Sequence, residues 1–168
     1  MDNSELQSRL AELHPESYGW ALHCCRDDAT QAEDVLQIAY LKVLDGRANF
    51  GEKSAFKTWL FGVVRNTARE EHRRHRLRRL GLLRVVGEHQ SSPSPERSTL
   101  DSERRGHILR MMEKLSPRQR EVLHLVFYQD LTIEDAAEIM GISLGSARKH
   151  YDRGKQRMRA HLESNPLD

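Results

Sequence analysis

"TIEDAAEIMGISLGSARKHYDRGKQRMRAHL" (Thr132–Leu162) is the stretch whose reading decides the fold. "TIED" (Thr132–Asp135) can start a short helix carrying Ala136, Ala137, Ile139 and Met140. Gly141 suits the left-handed position that ends such a helix. Ser143 can then cap a longer one. In that helix Leu144, Ala147, Tyr151, Gly154, Met158 and Leu162 recur in steps of three and four, an apolar stripe. The opposite face carries Gly145, Arg148, Lys149, Asp152, Arg153 and Gln156. Ile142–Leu162 holds six Lys/Arg against one Asp. Short helix, glycine turn and long basic helix make a helix-turn-helix. In that motif the second helix enters the major groove N-terminus first. Gly145 and Ser146 would let the backbone approach. Arg148, Lys149 and Arg153 can reach base edges or phosphates, and Asp152 can accept from a cytosine amino group. The competing reading is a solvated basic helix on a bundle.

Upstream, "SPRQ" (Ser116–Gln119) gives an N-cap, a proline at the first helical position and a glutamine three residues on, a strong helix start. Val122, Leu123, Leu125, Val126 and Tyr128 supply that helix's apolar face. Helical spacing also runs from Leu100 to Leu115. Residues 81–99, including "GEHQSSPSPERST", have paired prolines and serines and no apolar period, which predicts a mobile linker. Towards the N-terminus, Leu6, Leu10 and Leu13 predict one helix. Pro15 interrupts, and Tyr18, Ala21, Leu22 and Cys25 predict another. "TQAE" (Thr30–Glu33) reads as a capping box opening a helix with Val35, Leu36, Ala39, Tyr40, Val43 and Leu44 inward. "DGRANFGE" breaks it, and a further helix starts near Ser54 with Phe56, Leu60, Val63 and Val64. No stretch alternates as a strand would. The expectation is an all-α chain of two small helical domains, residues 1–80 and 100–164, joined by the linker.

Charge is organised in blocks. Over residues 46–84 eleven bases face three acids, whereas over residues 1–45 nine acids face three bases. Alternating blocks suit more than one charged partner. The chain has no apolar run near the ~20 residues of a membrane span, and its acidic, polar N-terminus is unlike a secretory signal. Adjacent Cys24 and Cys25 cannot form a disulfide framework; they read as small buried hydrophobes in a reduced, cytoplasmic protein. No metal site or cofactor is expected, and His72 and His75 read as surface residues.

The basic block also holds Phe50, Phe56, Trp59 and Phe61. Cations with aromatic residues suit single-stranded nucleic acid, charge following the backbone and rings or pockets taking unstacked bases. Trp59 and Phe61 read as packing residues. Lys57, Arg65, Arg69 and Arg73 fall along one side of their helix. Glu33, Asp34 and Gln37 share an exposed face of the preceding helix. Two acids there complement the helix dipole; the sharper reading is a dock for a basic protein surface.

"QAEDVLQIAYLKVL…FKTWLFGVVRNTAREEHRR" resembles region 2 of the bacterial extracytoplasmic-function (group 4) sigma factors of the sigma-70 family. "LSPRQREVLHLVFYQDLTIEDAAEIMGISLGSARKHYDRGKQRMRAHL" resembles their region 4. The resemblance covers residues 15–79 and 105–162, in the family's order, with nothing resembling regions 1.1 or 3 and no long C-terminal extension. It implies that Glu33, Asp34 and Gln37 grip the clamp helices of core RNA polymerase. It implies that Asn49 and Phe50 belong to the loop capturing a flipped −10 base, and that Lys57, Arg65, Asn66, Arg69 and Arg73 follow the −10 strand. Ser146, Arg148, Lys149, Asp152 and Arg153 would meet the −35 element. Gln31 and Ile38 depart from the pattern, which commonly has acids there.

The expected function is promoter recognition, −10 strand opening and transcription initiation, with no bond-making chemistry by this chain. Core RNA polymerase, promoter DNA and an anti-sigma factor are the implied partners. The −10 and −35 sites lie roughly 70 Å apart, two helical turns of DNA, and some 20 extended residues reach about 66–72 Å. A stand-alone regulator with a dimerising or signal-binding N-terminal domain is the second reading. An RNA-binding antitermination protein is the third, and it leaves the helix-turn-helix unexplained.

Overall fold

The computed structural model describes residues 2–81 and 110–164. All secondary structure among them is helical, and the chain divides into two compact units, residues 1–94 and 95–168. The expected linker beyond Gly81, and the helical spacing from Leu100 as far as residue 109, lie outside the described residues.

Four helices build the first unit: α1 (Asn3–Glu12), α2 (His14–Cys24), α3 (Ala29–Leu44) and α4 (Phe56–Arg79). Asp2 caps α1 by accepting from the Glu5 amide. The two helices expected around Pro15 form, but Pro15 itself is not the break between them. It sits in the first turn of α2, where its missing N–H costs nothing, and Leu13 is at once the C-cap of α1 and the N-cap of α2. The start of α3 differs from expectation. Asp28, not Thr30, is the N-cap: its carboxylate accepts from the Gln31 amide at 3.0 Å and from the Gln31 side chain at 2.9 Å. Thr30 is already helical. An aspartate two residues earlier is an equally good cap, and Gln31 supplies the returning side chain. That frees Glu33 from a capping role.

The core of this unit centres on Leu10, Val43, Phe56 and Leu60, with Trp20, Phe61, Val35 and Val64 wholly buried. Trp20 turns α2 relative to the expected stripe. Ser17, Trp20 and Ala21 are buried while Tyr18 and Leu22 are only half-buried. The indole Nε1–H donates to the Phe61 carbonyl at 3.0 Å and its ring stacks on Phe61. A buried indole needs such an acceptor, and this one fixes the rotation of α2 against α4. Lys42 of α3 ties across to α4, its Nζ donating to Glu70 at 2.6 Å and to Thr67 at 3.2 Å.

Three helices make the described part of the second unit: α5 (Pro117–Phe127), α6 (Ile133–Met140) and α7 (Leu144–Ser164). Residues 110–113 are helical as well. The caps read from the sequence form here. Ser116 and Gln119 exchange side-chain and backbone bonds, as do Thr132 and Asp135. Gly141 takes φ 64°, and Ser143 accepts from the Ser146 amide at 3.2 Å. Val122, Leu125, Ala136 and Ala147 are fully buried. Gly154 lets α7 approach α5: a Cβ there would stand 2.8 Å from Leu123 Cδ1. That contact is what a glycine in mid-helix, costing about 0.5–1 kcal/mol relative to alanine, makes room for.

Candidate nucleic-acid and polymerase interfaces

On α3, residues Ala32, Val35, Leu36, Ala39 and Val43 face inward. At 100° per residue this places Glu33, Asp34 and Gln37 together on the outward side, and all three are exposed. The sequence reading missed Leu41. It continues the Glu33–Gln37 row one turn on and is 47% exposed. The step of four from Gln37 was the available signal, and the sequence reading assigned Leu41 to no face. Beside this row lies a groove of about 540 Å³, walled by Leu36, Tyr40, Leu41 and Leu44 of α3 and by Tyr18 and His14 of α2. Glu33 and Gln37 stand at its edge. His14 Nδ1 and the Tyr40 hydroxyl approach to 3.3 Å there, and burial pushes the Tyr40 pKa up, keeping it a neutral phenol. The face is thus acidic and apolar at once.

The α3–α4 loop holds Gly46 at φ 71° and Glu52 at φ 54°. The second is a left-handed non-glycine residue, a conformation that persists where the surroundings enforce it. Phe50 from this loop is half-buried, its ring meeting Phe56 edge-on at 5.3 Å and Trp59 at 5.2 Å. Trp59 is half-buried too. Asn49 is exposed. Together they border a cavity of about 320 Å³ completed by Leu6 and Asn3 of α1 and by Val43 of α3. Aromatic and aliphatic side chains share its lining with two amides (Asn3 and Asn49) and a carboxylate (Glu52).

Along α4, Arg65, Asn66, Arg69 and Arg73 fall within an arc of about 100°. Arg65 is half-buried and the other three exposed. Lys57 is not brought onto that arc. Eight residues before Arg65 it lies about 80° round the helix, in an ion pair with Glu16 of α2 at 3.3 Å and over the Phe61 ring at 5.6 Å. Past Ala68, no residue of α4 is buried. His72 has its pKa lowered by partial burial, then by Arg26, His75 and Arg76, with Glu71 opposing.

In the second unit Ala147 and Gly154 of α7 point inward. Lys149, Asp152 and Arg153 point the opposite way and are exposed. Ser146 sits on one flank, its hydroxyl accepting from that of Ser143 at 2.9 Å. Arg148 sits on the other and donates to Glu134 of α6 at 3.1 Å. His150, beside this face, has its pKa lowered by burial and by Arg118 and Arg153, so α5 contributes positive charge to the same neighbourhood. Phe127 and Tyr128, at 59% and 69% exposure, end α5 unburied, and Phe127 stacks on Tyr151.

These features define a helical nucleic-acid-binding protein with a helix-turn-helix in one unit and a basic, aromatic-walled site in the other. Comparison with known proteins sharpens that class. Residues 10–78 match the family model of Sigma-70 region 2, and residues 105–158 that of Sigma-70 region 4. The chain is 30% identical over 159 residues to the RNA polymerase sigma factor CarQ of Myxococcus xanthus, covering 95% of this chain and 90% of CarQ. It is also 30% identical over 139 residues to the probable RNA polymerase sigma factor RfaY of Xanthomonas campestris, covering 80% of this chain and 35% of RfaY. Its fold is similar to that of the sigma factor RpoE from Bartonella quintana, solved in complex with the anti-sigma factor NepR. The TM-score is 0.70 at 24% identity, over 96% of this chain and 98% of RpoE. The chain belongs to the sigma-70 family of RNA polymerase sigma factors, in its extracytoplasmic-function group. Its function is promoter recognition in transcription initiation. Among the described residues no helix is long and apolar enough to cross a membrane.

Proposed function

We propose that three surfaces of this chain divide the work of opening a promoter. The outward face of α3, with Glu33, Asp34, Gln37 and the added Leu41, docks on core RNA polymerase. Its combination of acid and exposed apolar side chain fits a basic helical partner, apolar contact supplying affinity and charge supplying orientation and rate. α7 lies in the major groove of the −35 duplex. Lys149, Asp152 and Arg153 face the base pairs, and Ser146 and Arg148 flank them.

The third surface holds the melted −10 strand, and the cavity of about 320 Å³ beside Asn49 and Phe50 is the observation that carries this part. A purine or pyrimidine ring needs a slot with a flat wall and an amide that can meet its polar edge. Phe50 and Trp59 provide the wall and Asn49 the amide. Arg65, Asn66, Arg69 and Arg73 then follow the strand's phosphates. Flipping a base costs a few kcal/mol, and burying it here offsets that cost. Because the base is held only when unpaired, the chain traps the open state. Lys57, paired with Glu16, keeps α2 and α4 in register beneath this surface and reaches the strand only by leaving that pair.

The chain performs no bond-making step in this reading; phosphodiester synthesis belongs to the polymerase, and the work takes place in the cytoplasm where both are found. An anti-sigma factor covering these surfaces completes the proposal, as NepR is bound by the similar RpoE. Asn49→Ala tests the cavity without disturbing packing, since Asn49 is exposed. With core polymerase present, it should weaken binding to a single-stranded −10 oligonucleotide by about 1–3 kcal/mol, the scale of one held base. Protection of the −35 duplex should be unchanged. Equal loss on both DNAs, or no loss on the single strand, would remove the cavity from the mechanism.

A further inference from the structure

We propose that Glu134 is a specificity-determining residue, which positions Arg148 for base readout and suppresses docking on non-promoter DNA. The inference rests on the reading of α7 as the helix that meets the −35 duplex. Its observation is the bond across the turn, Arg148 Nη2 donating to Glu134 Oε1 at 3.1 Å. Both side chains are 59% exposed, so the pair adds little to folding stability. What it changes is where a cation points.

Arg148 lies on the flank of α7, off the line of Lys149, Asp152 and Arg153. An unrestrained arginine there would sweep many rotamers and settle on the nearest phosphate, a contact that every sequence offers. Glu134 engages one N–H of the five on the guanidinium. The planar fork stays oriented, with donors left for a base edge that presents two acceptors.

Glu134 also acts on the DNA itself. The first helix of the motif crosses the sugar–phosphate backbone, and a helix N-terminus attracts phosphate. The first turn of α6 carries Glu134 and Asp135. Asp135 is taken up by the capping box, bonding the Thr132 amide and hydroxyl. Glu134 instead reaches towards α7, and its carboxylate opposes phosphate at that turn. Contacts common to all DNA are therefore weakened, while the correct base regains the energy through Arg148. Specificity is that difference.

The test uses core polymerase with the full chain. The −35 preference is measured on a promoter library randomised across that element, and the salt dependence of binding on one fixed non-promoter duplex. Glu134→Gln should bind the non-promoter duplex more tightly, with a salt slope steeper by about one. Its preference at the position Arg148 reads should fall towards that of Arg148→Ala, from the about five- to 150-fold of one well-made contact. Glu134→Asp keeps the charge on the turn but shortens the reach. It should lose the preference, and because the charge on the turn still opposes phosphate its slope should steepen less than that of Glu134→Gln. If Arg148→Ala relaxes one position while Glu134→Gln changes neither selection nor slope, or weakens every sequence equally, the inference is overturned and the reading of α7 survives. If Arg148→Ala alters no position, the reading of Arg148 falls and the inference with it.

Discussion

Cys25 and His72 show how neighbours set a single residue's chemistry. Burial, then Asp28 and Asp34, push the Cys25 thiol up to about 12. A thiol is reactive only as thiolate, so Cys25 should stay unmodified by iodoacetamide at pH 8 in the native chain and react once urea unfolds it. Mass spectrometry of the tryptic peptides checks this; rapid native labelling of Cys25 would contradict the packing of α2 on α3. The sequence had read both cysteines as small buried hydrophobes, and Cys25 is buried while Cys24 is half-buried. His72 runs in the other direction. Its pKa is lowered in the folded chain, so the unfolded chain binds the extra proton first as pH falls. Folding stability should therefore rise with pH between the lowered folded value and the ordinary value near 6.5, and be lost as pH falls through that window. The urea midpoint of His72→Gln should fall less between pH 8 and pH 5.5 than that of the parent. An equal or steeper fall would mean that partial burial, with Arg26, His75 and Arg76, does not lower the His72 pKa as described.

At the scale of the element, α5 to α7 were legible nearly in full because their signals are local. Ser116, Thr132, Gly141 and Ser143 each act on backbone within four residues, and each does what its type and spacing predict. The starts of α2 and α3 were harder, since the roles of neighbouring residues overlap there. Asp28 outcompetes Thr30 as a cap, and Leu13 serves two helices at once. The rotation of α2 was readable only in part: Ala21 and Cys25 are buried as their spacing predicts, whereas the acceptor that draws Trp20 inward lies 41 residues away on α4. Gly154 belongs to this scale too: its reason is Leu123 on another helix. Gly154→Val should destabilise the second unit by about 1–3 kcal/mol through overpacking, read as a lower urea midpoint for loss of helix. A variant as stable as the parent would show that α5 and α7 do not approach so closely. Ser116→Ala should cost about 1 kcal/mol in the same assay, since it removes an acceptor for the Gln119 amide and leaves the capping box half made.

For the whole molecule, the sequence showed three charged faces but could not show their form. It gave the acidic row on α3, yet not the groove of about 540 Å³ beside it or the exposure of Leu41. It named Asn49 and Phe50, yet not the cavity that α1 closes with Leu6 and Asn3. Cavities depend on side chains from several elements, and no local pattern encodes them. It grouped Lys57 with Arg65, Arg69 and Arg73, whereas helical geometry and Glu16 set Lys57 apart. If the α3 face recruits polymerase independently of DNA contact, Asp34→Arg should weaken binding to core polymerase by about 30-fold or more, as for a reversed charge in a complementary interface. Circular dichroism and urea unfolding should remain as in the parent, because Asp34 is exposed.

In the proposed division of work, polymerase, brought by one face, allows the two cationic surfaces to grip paired and melted DNA together. Permanganate reactivity of thymines in the −10 element, with −35 protection read on the same fragment, measures this directly. Reactivity and protection should appear together when core polymerase and the chain are both present, and reactivity should vanish when either is omitted. Thymine reactivity with core polymerase alone, or −35 protection by the chain alone that polymerase leaves unchanged, would contradict it.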